Sequence, residues 1–279
     1  MTYETAAGLR QAIDTRLNAR AKSEHVEVNR LRRGLVFERV MARLDAGEPR
    51  EWVVKGGMVL EWRLGGRARA TRDLDLVRRG QAVAGPDQRD RLIDLLGGDV
   101  AGDRFTFEIG PPQALDVGFR FNVVAQLAGK VFASVRLDIA ARGDELLATE
   151  TLQVPGALPD FDRLPPPQVE VASAAQHFAE KLHALTREHG ERPNTRVRDL
   201  VDLLLLIELD LVRASDVLPL VCHVFESRGT HPVPVEIPNP PATWARDYAE
   251  DAEATALRAR TLDEAMSRLR DFWRDAQPG

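Results

Sequence analysis

The sequence predicts an α/β core followed by a helical C-terminal half, on three observations. Between residues 52 and 139, short apolar or alternating runs of strand type are interleaved with segments of helical period. A proline-rich stretch follows, Leu152 to Pro167, with prolines at 155, 159, 165, 166 and 167. Beyond it the pattern is nearly all helical until a second proline-rich insert, Thr230 to Pro241. The expected division is a core with N-terminal helices over 1–167 and a helical domain over 168–279. A chain of 279 residues is long enough to give both a proper core.

Residues 1–46 read as two helices; Leu31, Leu35, Val36, Val40 and Leu44 recur at helical spacing, and Gly47-Glu48-Pro49 ends the pattern. Trp52-Val53-Val54 is an apolar run of strand type, broken by Gly56-Gly57. A helix from Met58 to Leu64 is stopped by Gly65-Gly66. In Asp73-Leu74-Asp75-Leu76-Val77 charged and apolar residues alternate, the period of a strand with one polar face. Pro86 to Leu96 is a short helix, and Phe105 to Ile109 a strand. Val117–Gln126 and Lys130–Ile139 are β-type runs joined by a turn at Ala128-Gly129.

The stretch from 52 to 79 carries the chemistry. Asp73 and Asp75 point the same way, about 7 Å apart along one strand. Two like charges on one face are costly unless a cation neutralises them, and Mg²⁺ takes carboxylate oxygens together with substrate phosphates. Gly56 and Gly57 let the backbone approach an anion closely at a helix start. Asp138, in the apolar run Val135-Arg136-Leu137-Asp138-Ile139, is a carboxylate that needs a partner. Asp116, in Leu115-Asp116-Val117, is its rival for a third acidic role.

Lys55-Gly56-Gly57, a short helix, and Arg69-Ala70-Thr71-Arg72-Asp73-Leu74-Asp75 together resemble the signature of the polymerase-beta-like nucleotidyltransferases. More narrowly, they resemble the AbiEii/AbiGii branch with its MenT-type toxins. The resemblance implies a small mixed sheet with flanking helices and a helical C-terminal domain. It extends to Glu180-Lys181-Leu182-His183-Ala184-Leu185 and to Arg196-Val197-Arg198-Asp199-Leu200-Val201-Asp202-Leu203, and so spans roughly residues 50–210.

By the resemblance, Asp73 and Asp75 hold Mg²⁺ (or Mn²⁺), and Gly56, Gly57, Thr71 and Lys181 meet the NTP. Asp138 activates the acceptor or binds metal, and Asp199 is the functional member of the last motif, with Asp202 more structural. The residue after the glycines, often Ser or Thr in this branch, is Met58, which has no hydroxyl to offer. A serine there is expected to be tolerated and to add one hydrogen bond to a bound nucleotide.

In the helical half, Val169 to Glu188 reads as one helix with a stripe at Val171, Ala175, Phe178, Leu182 and Leu185. Lys181 falls about 80° from the centre of that stripe, able to reach out of the packed face. Arg196 to Leu209 is apolar nearly all round, so Asp199 and Asp202, i and i+3 on one face, must be satisfied by Arg196, Arg198, Lys181 or backbone N–H groups.

Net charge is −5, yet residues 1–80 hold 17 Lys and Arg against 11 Asp and Glu. Arg63, Arg67, Arg69 and Arg72 crowd the central stretch and are the expected contacts for RNA phosphates. The histidines lack the spacing of a zinc site and no G-x-S-x-G nucleophile motif occurs. Cys222 is expected to be a core thiol. With no run of 18 apolar residues and no secretory leader, no membrane role and a cytoplasmic location are expected.

The resemblance implies transfer of a nucleoside monophosphate from an NTP to an RNA, with a tRNA 3′ end as acceptor. It also implies a cognate antitoxin protein and a place in a toxin–antitoxin or phage-defence system. A small-molecule acceptor, or a non-catalytic regulatory role on the same fold, stays open at this point.

Overall fold

The computed structural model describes residues 4–68, 71–80, 83–141, 143–187, 190 and 194–277. The chain forms two compact units. The first comprises Met1–Met58, Ala70–Gly143 and Thr151–Val171; the second comprises Val59–Arg69, Asp144–Glu150 and Ala172–Gly279.

Two helices open the chain, α1 (Ala6–Glu24) and α2 (Val28–Gly47). Thr5 caps α1 by accepting from the Gly8 N–H, satisfying one of the helix's orphan donors. Strands β1 (Trp52–Lys55) and β2 (Asp73–Arg78) follow, separated by α3 (Gly56–Leu64). Next come α4 (Gly85–Leu96), β3 (Phe105–Ile109), the two-residue β4 (Gln113–Ala114), β5 (Phe119–Leu127), β6 (Lys130–Ala140), β7 (Thr149–Gln153) and β8 (Gln168–Ala172). The strands make one mixed sheet in the order β3-β5-β6-β2-β1-β8-β7, with β4 on β5. β2 lies antiparallel to β1 and parallel to β6, so the middle of the sheet holds the two segments with the most informative sequence.

Each element's pattern matches its place. β1 is buried at all four positions, as a central strand covered on both faces must be. β2 buries Leu74, Leu76 and Val77 and leaves Asp73 and Asp75 partly exposed, so both aspartates share the other face. At the β5–β6 turn Ala128 and Gly129 both have positive φ, 56° and 67°, the handedness a tight hairpin needs. Arg39 and Arg43 of α2, which the helical pattern leaves looking like surface residues, are buried. Arg43 grips Asp103 with two bonds of 2.6 Å, both side chains fully enclosed.

The second unit is built on α5 (Ala174–Thr186), α6 (Val197–Glu208), α7 (Ala214–Arg228), α8 (Trp244–Ala254) and α9 (Leu262–Ala276). Phe178, Leu182, Leu204, Val221, Tyr248, Leu269 and Trp273 are among the side chains of its core.

Two expectations are corrected here. The expected helix from Val169 to Glu188 is a strand followed by a shorter helix. Gln168–Ala172 pairs parallel with β1, and Ser173 then caps α5 through the Gln176 N–H. Val169 and Val171 are β-branched and alternate with polar neighbours, a pattern that suits a strand as well as a helical stripe; Glu188 lies outside the described residues. Cys222 is exposed on α7, because Val221, Val224 and Phe225 already define the face turned to the core. Among the described residues no helix is long and apolar enough to cross a membrane.

Candidate active site

Gly56, the first residue after β1, has φ +66°, a conformation costly for any residue with a Cβ. The carboxylate of Asp75 lies against it. A Cβ built on Gly56 would sit 1.8 Å from Asp75 Oδ2 and 2.7 Å from its Cγ. The space that glycine leaves open is therefore filled by the aspartate. Gly57 follows, buried, in the first turn of α3.

Cross-strand register extends this point into a row. Lys55 pairs with Asp75, Asp75 with Asp138, and Asp138 with Arg120. Residues directly opposite share a face, so one cation, two carboxylates and another cation cross four strands side by side. Asp73 pairs with Arg136 in the neighbouring row. The contacts follow the register. Arg120 Nε donates to Asp138 Oδ1 at 2.7 Å and its NH2 donates to Oδ2 at 2.6 Å. Arg136 Nε lies 2.5 Å from Asp73 Oδ1, and Arg120 NH2 lies 3.9 Å from Asp73 Oδ2.

The hydrogen bonds to Asp138 hold the Arg120 guanidinium above its ordinary range. They outweigh a smaller desolvation cost and are helped by the charges of Asp138, Asp73 and Asp75. Thr71 is buried just ahead of β2, and Asp116 sits exposed in the bend before β5.

In the second unit, α5 and α6 form a separate ionic cluster. Lys181 Nζ lies 2.7 Å from Asp199 Oδ1 and 2.7 Å from Asp202 Oδ2. Asp202 is almost fully enclosed, and Arg196 stands 3.7 Å from Asp199. The i, i+3 spacing on α6 aims both carboxylates at one ammonium, which satisfies the charges a buried helix cannot leave alone. Arg198 turns instead toward Asp251, at 4.0 Å.

Of the arginines expected to meet RNA, Arg63 is tied inward. Its NH2 donates to a Glu150 carboxylate oxygen and to the Ala172 carbonyl, and its side chain is only 7% exposed. Arg67 donates to the Ala256 carbonyl at 3.2 Å. Arg72 is exposed, and Arg69 lies outside the described residues. Met58 is 3% exposed. The side chain is packed in the interior, which counts against the expected tolerance of a serine there.

Arg120, Arg136 and Lys55 are charged members of this face that reading the sequence did not single out. Alternation in the two hairpin strands was the available signal. It misleads because a bulge intervenes: Gln126 pairs with Val131, but Ala125 pairs with Ala133. Were Phe132 paired in an unbroken ladder instead of bulged, Asp138 would face Phe119 rather than Arg120.

The model of the family described as "Nucleotidyl transferase AbiEii toxin, Type IV TA system" matches residues 39–276. The chain belongs to this family. It is thus a nucleotidyltransferase of the AbiEii kind. Among solved structures it is similar to MenT4, a nucleotidyltransferase toxin from Mycobacterium tuberculosis H37Rv, at 21% identity and a TM-score of 0.57, covering 96% of this chain and 89% of that one. An antigenic nucleotidyltransferase-like protein from Paracoccidioides brasiliensis matches at 14% identity and a TM-score of 0.42, over 81% of this chain and 93% of that one. No curated protein matches the chain. For this AbiEii chain the likeness to MenT4 bears on the fold, which agrees with a mixed sheet core and a helical C-terminal region.

Proposed function

We propose that the chain transfers a nucleoside monophosphate from an NTP to the 3′ end of a tRNA, using Mg²⁺ or Mn²⁺ held by Asp73 and Asp75. The observation that carries this reading is the seat of the Asp75 carboxylate in the space left by Gly56, with Asp73 two residues away on the same face and Asp138 in register beside it. Hard carboxylate oxygens suit a divalent cation that keeps one or two protein ligands and takes the rest from phosphates and water. Among the described residues no three His, Cys, Asp or Glu side chains converge on a metal position. Asp73 and Asp75, completed by the substrate's own oxygens, would give such an ion hard oxygen ligands. The bound ion would supply charge neutralisation at the phosphates and a template for in-line displacement.

The rest falls to the chain. Gly56 and Gly57 let backbone N–H groups approach the triphosphate, and Thr71 stands just ahead of the metal-binding strand. The acceptor oxygen bonds to the α-phosphorus as the α–β anhydride bond breaks, and pyrophosphate leaves. Asp138 receives the hydroxyl proton. Lys181, steadied by Asp199 and Asp202, offsets charge on the departing pyrophosphate. Of the four arginines expected to meet RNA, Arg72 is the one exposed among the described residues, and it meets an RNA phosphate. In the cell the enzyme acts in the cytoplasm as the toxin of a toxin–antitoxin or phage-defence pair, held in check by a cognate antitoxin protein.

Incubation with each α-labelled NTP and total tRNA, with and without Mg²⁺, tests this reading. Label is expected on tRNA with one or more nucleotides and only with the metal. Label confined to small molecules, or none with any nucleotide, would overturn the proposal.

A further inference from the structure

The charged face of the sheet is balanced. Lys55, Arg120 and Arg136 stand against Asp73, Asp75 and Asp138, all placed by the same register. Arg120 holds both oxygens of Asp138, and Arg136 holds one oxygen of Asp73. Neither arginine is locked in. Their side chains are 28% and 41% exposed, against zero for the buried Arg43–Asp103 pair.

Two physical consequences meet here. A divalent cation that takes Asp73 must share that carboxylate with the Arg136 guanidinium or displace it, and it adds two charges to an array in which three cations stand against three carboxylates. An arginine fork grips phosphate as readily as carboxylate, so a guanidinium released from aspartate is ready for a phosphate. We propose that Arg120 and Arg136 are exchangeable counter-ions that make cation binding depend on the nucleotide's polyphosphate. They hold Asp138 and Asp73 in the free protein and turn to phosphate oxygens once a cation takes the carboxylates. This inference rests on the nucleotidyl-transfer reading above and deepens it by naming two nucleotide-positioning residues. It makes cation and NTP mutually dependent, since whatever factor the nucleotide adds to cation affinity, the cation adds to nucleotide affinity.

The test is a Mn²⁺ titration of the full chain, followed by the electron paramagnetic resonance of the free ion. It is run with and without non-hydrolysable analogues of the four NTPs, on wild type, R120Q, R136Q and R136K. Wild type is expected to bind Mn²⁺ at least about tenfold more tightly when an analogue is present. Without nucleotide, R136Q and R120Q should bind Mn²⁺ about tenfold more tightly than wild type, because a close positive charge is gone. In both glutamine variants the gain from the analogue should shrink, whereas R136K, which keeps the charge, should stay near wild type. Glutamine variants that bind Mn²⁺ alone no better than wild type would overturn the proposal. So would a wild type that binds Mn²⁺ equally well with and without every analogue. The nucleotide-free arm needs neither transfer nor acceptor. A chain inactive on every RNA would therefore sink the reaction while leaving the counter-ion result to stand or fall by itself.

Discussion

Asp75 and Gly56 occupy one small volume from two sides, and substitutions at either end have different expected signatures. On the proposed reading, Asp73→Asn and Asp75→Asn each remove a metal ligand and should lower transfer at least about a hundredfold. Both aspartates are partly exposed on a charged face, so the melting behaviour should change by no more than about 1 kcal/mol. Gly56→Ala should lose both activity and stability, because the positive φ alone costs an alanine about 1–2 kcal/mol and the new methyl would strike the Asp75 carboxylate. Denaturant melts alongside the labelling assay separate the cases; a Gly56→Ala protein as stable and active as wild type would contradict the close approach. Met58→Ser belongs with the losses: a buried thioether replaced by a short hydroxyl should cost about 2–4 kcal/mol in the same melts. At this scale the sequence was legible where a residue has few alternatives. Two glycines and two alternating aspartates announce a close approach and a shared face. The burial of Met58 depends on neighbours that a local pattern does not show.

Elements carry the interactions that span many residues. Lys181 on α5 is the ammonium that Asp199 and Asp202 on α6 share, in a setting where the side chains of the two aspartates are 9% and 1% exposed. Lys181→Ala leaves two enclosed carboxylates facing each other and should destabilise the helical unit by about 3–5 kcal/mol, beyond any effect on transfer. Adding Asp202→Asn to that variant should restore part of the loss in a urea melt; no recovery would mean the carboxylates are not what suffers. This cluster could be anticipated from spacing, since i, i+3 carboxylates on an apolar helix demand a cation. The partner of Asp138 could not. Counting back from the Ala128-Gly129 turn puts Phe119 opposite it, and only the bulge at Phe132 brings Arg120 into line. Strand β8 was hidden for a related reason: five residues with alternating valines satisfy either period, and pairing with β1 decides between them.

For the molecule as a whole, two buried titratable groups pull in opposite directions as pH changes. Burial pushes the Glu38 carboxyl in the first unit up to about 7, against the hydrogen bond it accepts from the Ala157 N–H and the attraction of Arg39 and Arg20. The unfolded chain releases that proton near 4.5, so between about 4.5 and about 7 the folded state holds more protons. Stability from Glu38 is then fully present below 4.5 and lost as pH rises through 7. His183 in the second unit is driven down to about 3, first by burial and then by the charges of Arg228 and His231. Arg228 donates to its Nδ1 at 3.1 Å, which fixes the ring as neutral. That stability is present above 6.5 and lost as pH falls toward 3. Lowering the pH from about 6.5 to about 4.5 should therefore tighten the first unit and loosen the second, each by up to about 1.4 kcal/mol per pH unit. Hydrogen exchange resolved by peptide should show it, with α2 gaining protection and α5 and α7 losing it after correction for intrinsic rates. Glu38→Gln should flatten only the first trend; a uniform response in both units would refute the assignment. Neither group stands out in the sequence, because burial of a single Glu or His leaves no local periodic mark.

The order in which the two units share the chain has a further consequence, for synthesis and breakage. The backbone passes from one unit to the other between residues 58 and 59, returns, crosses again at 143 and 150, and leaves the first unit for the last time after Val171. A stretch ending at residue 171 holds every segment of the first unit, but also two pieces of the second whose packing partners have not yet been made. No single cut, whether by a protease or a premature stop, divides the chain into one whole unit and the other. A truncated toxin is thus expected to emerge with stranded segments that mark it for degradation, rather than as a half that folds cleanly and persists.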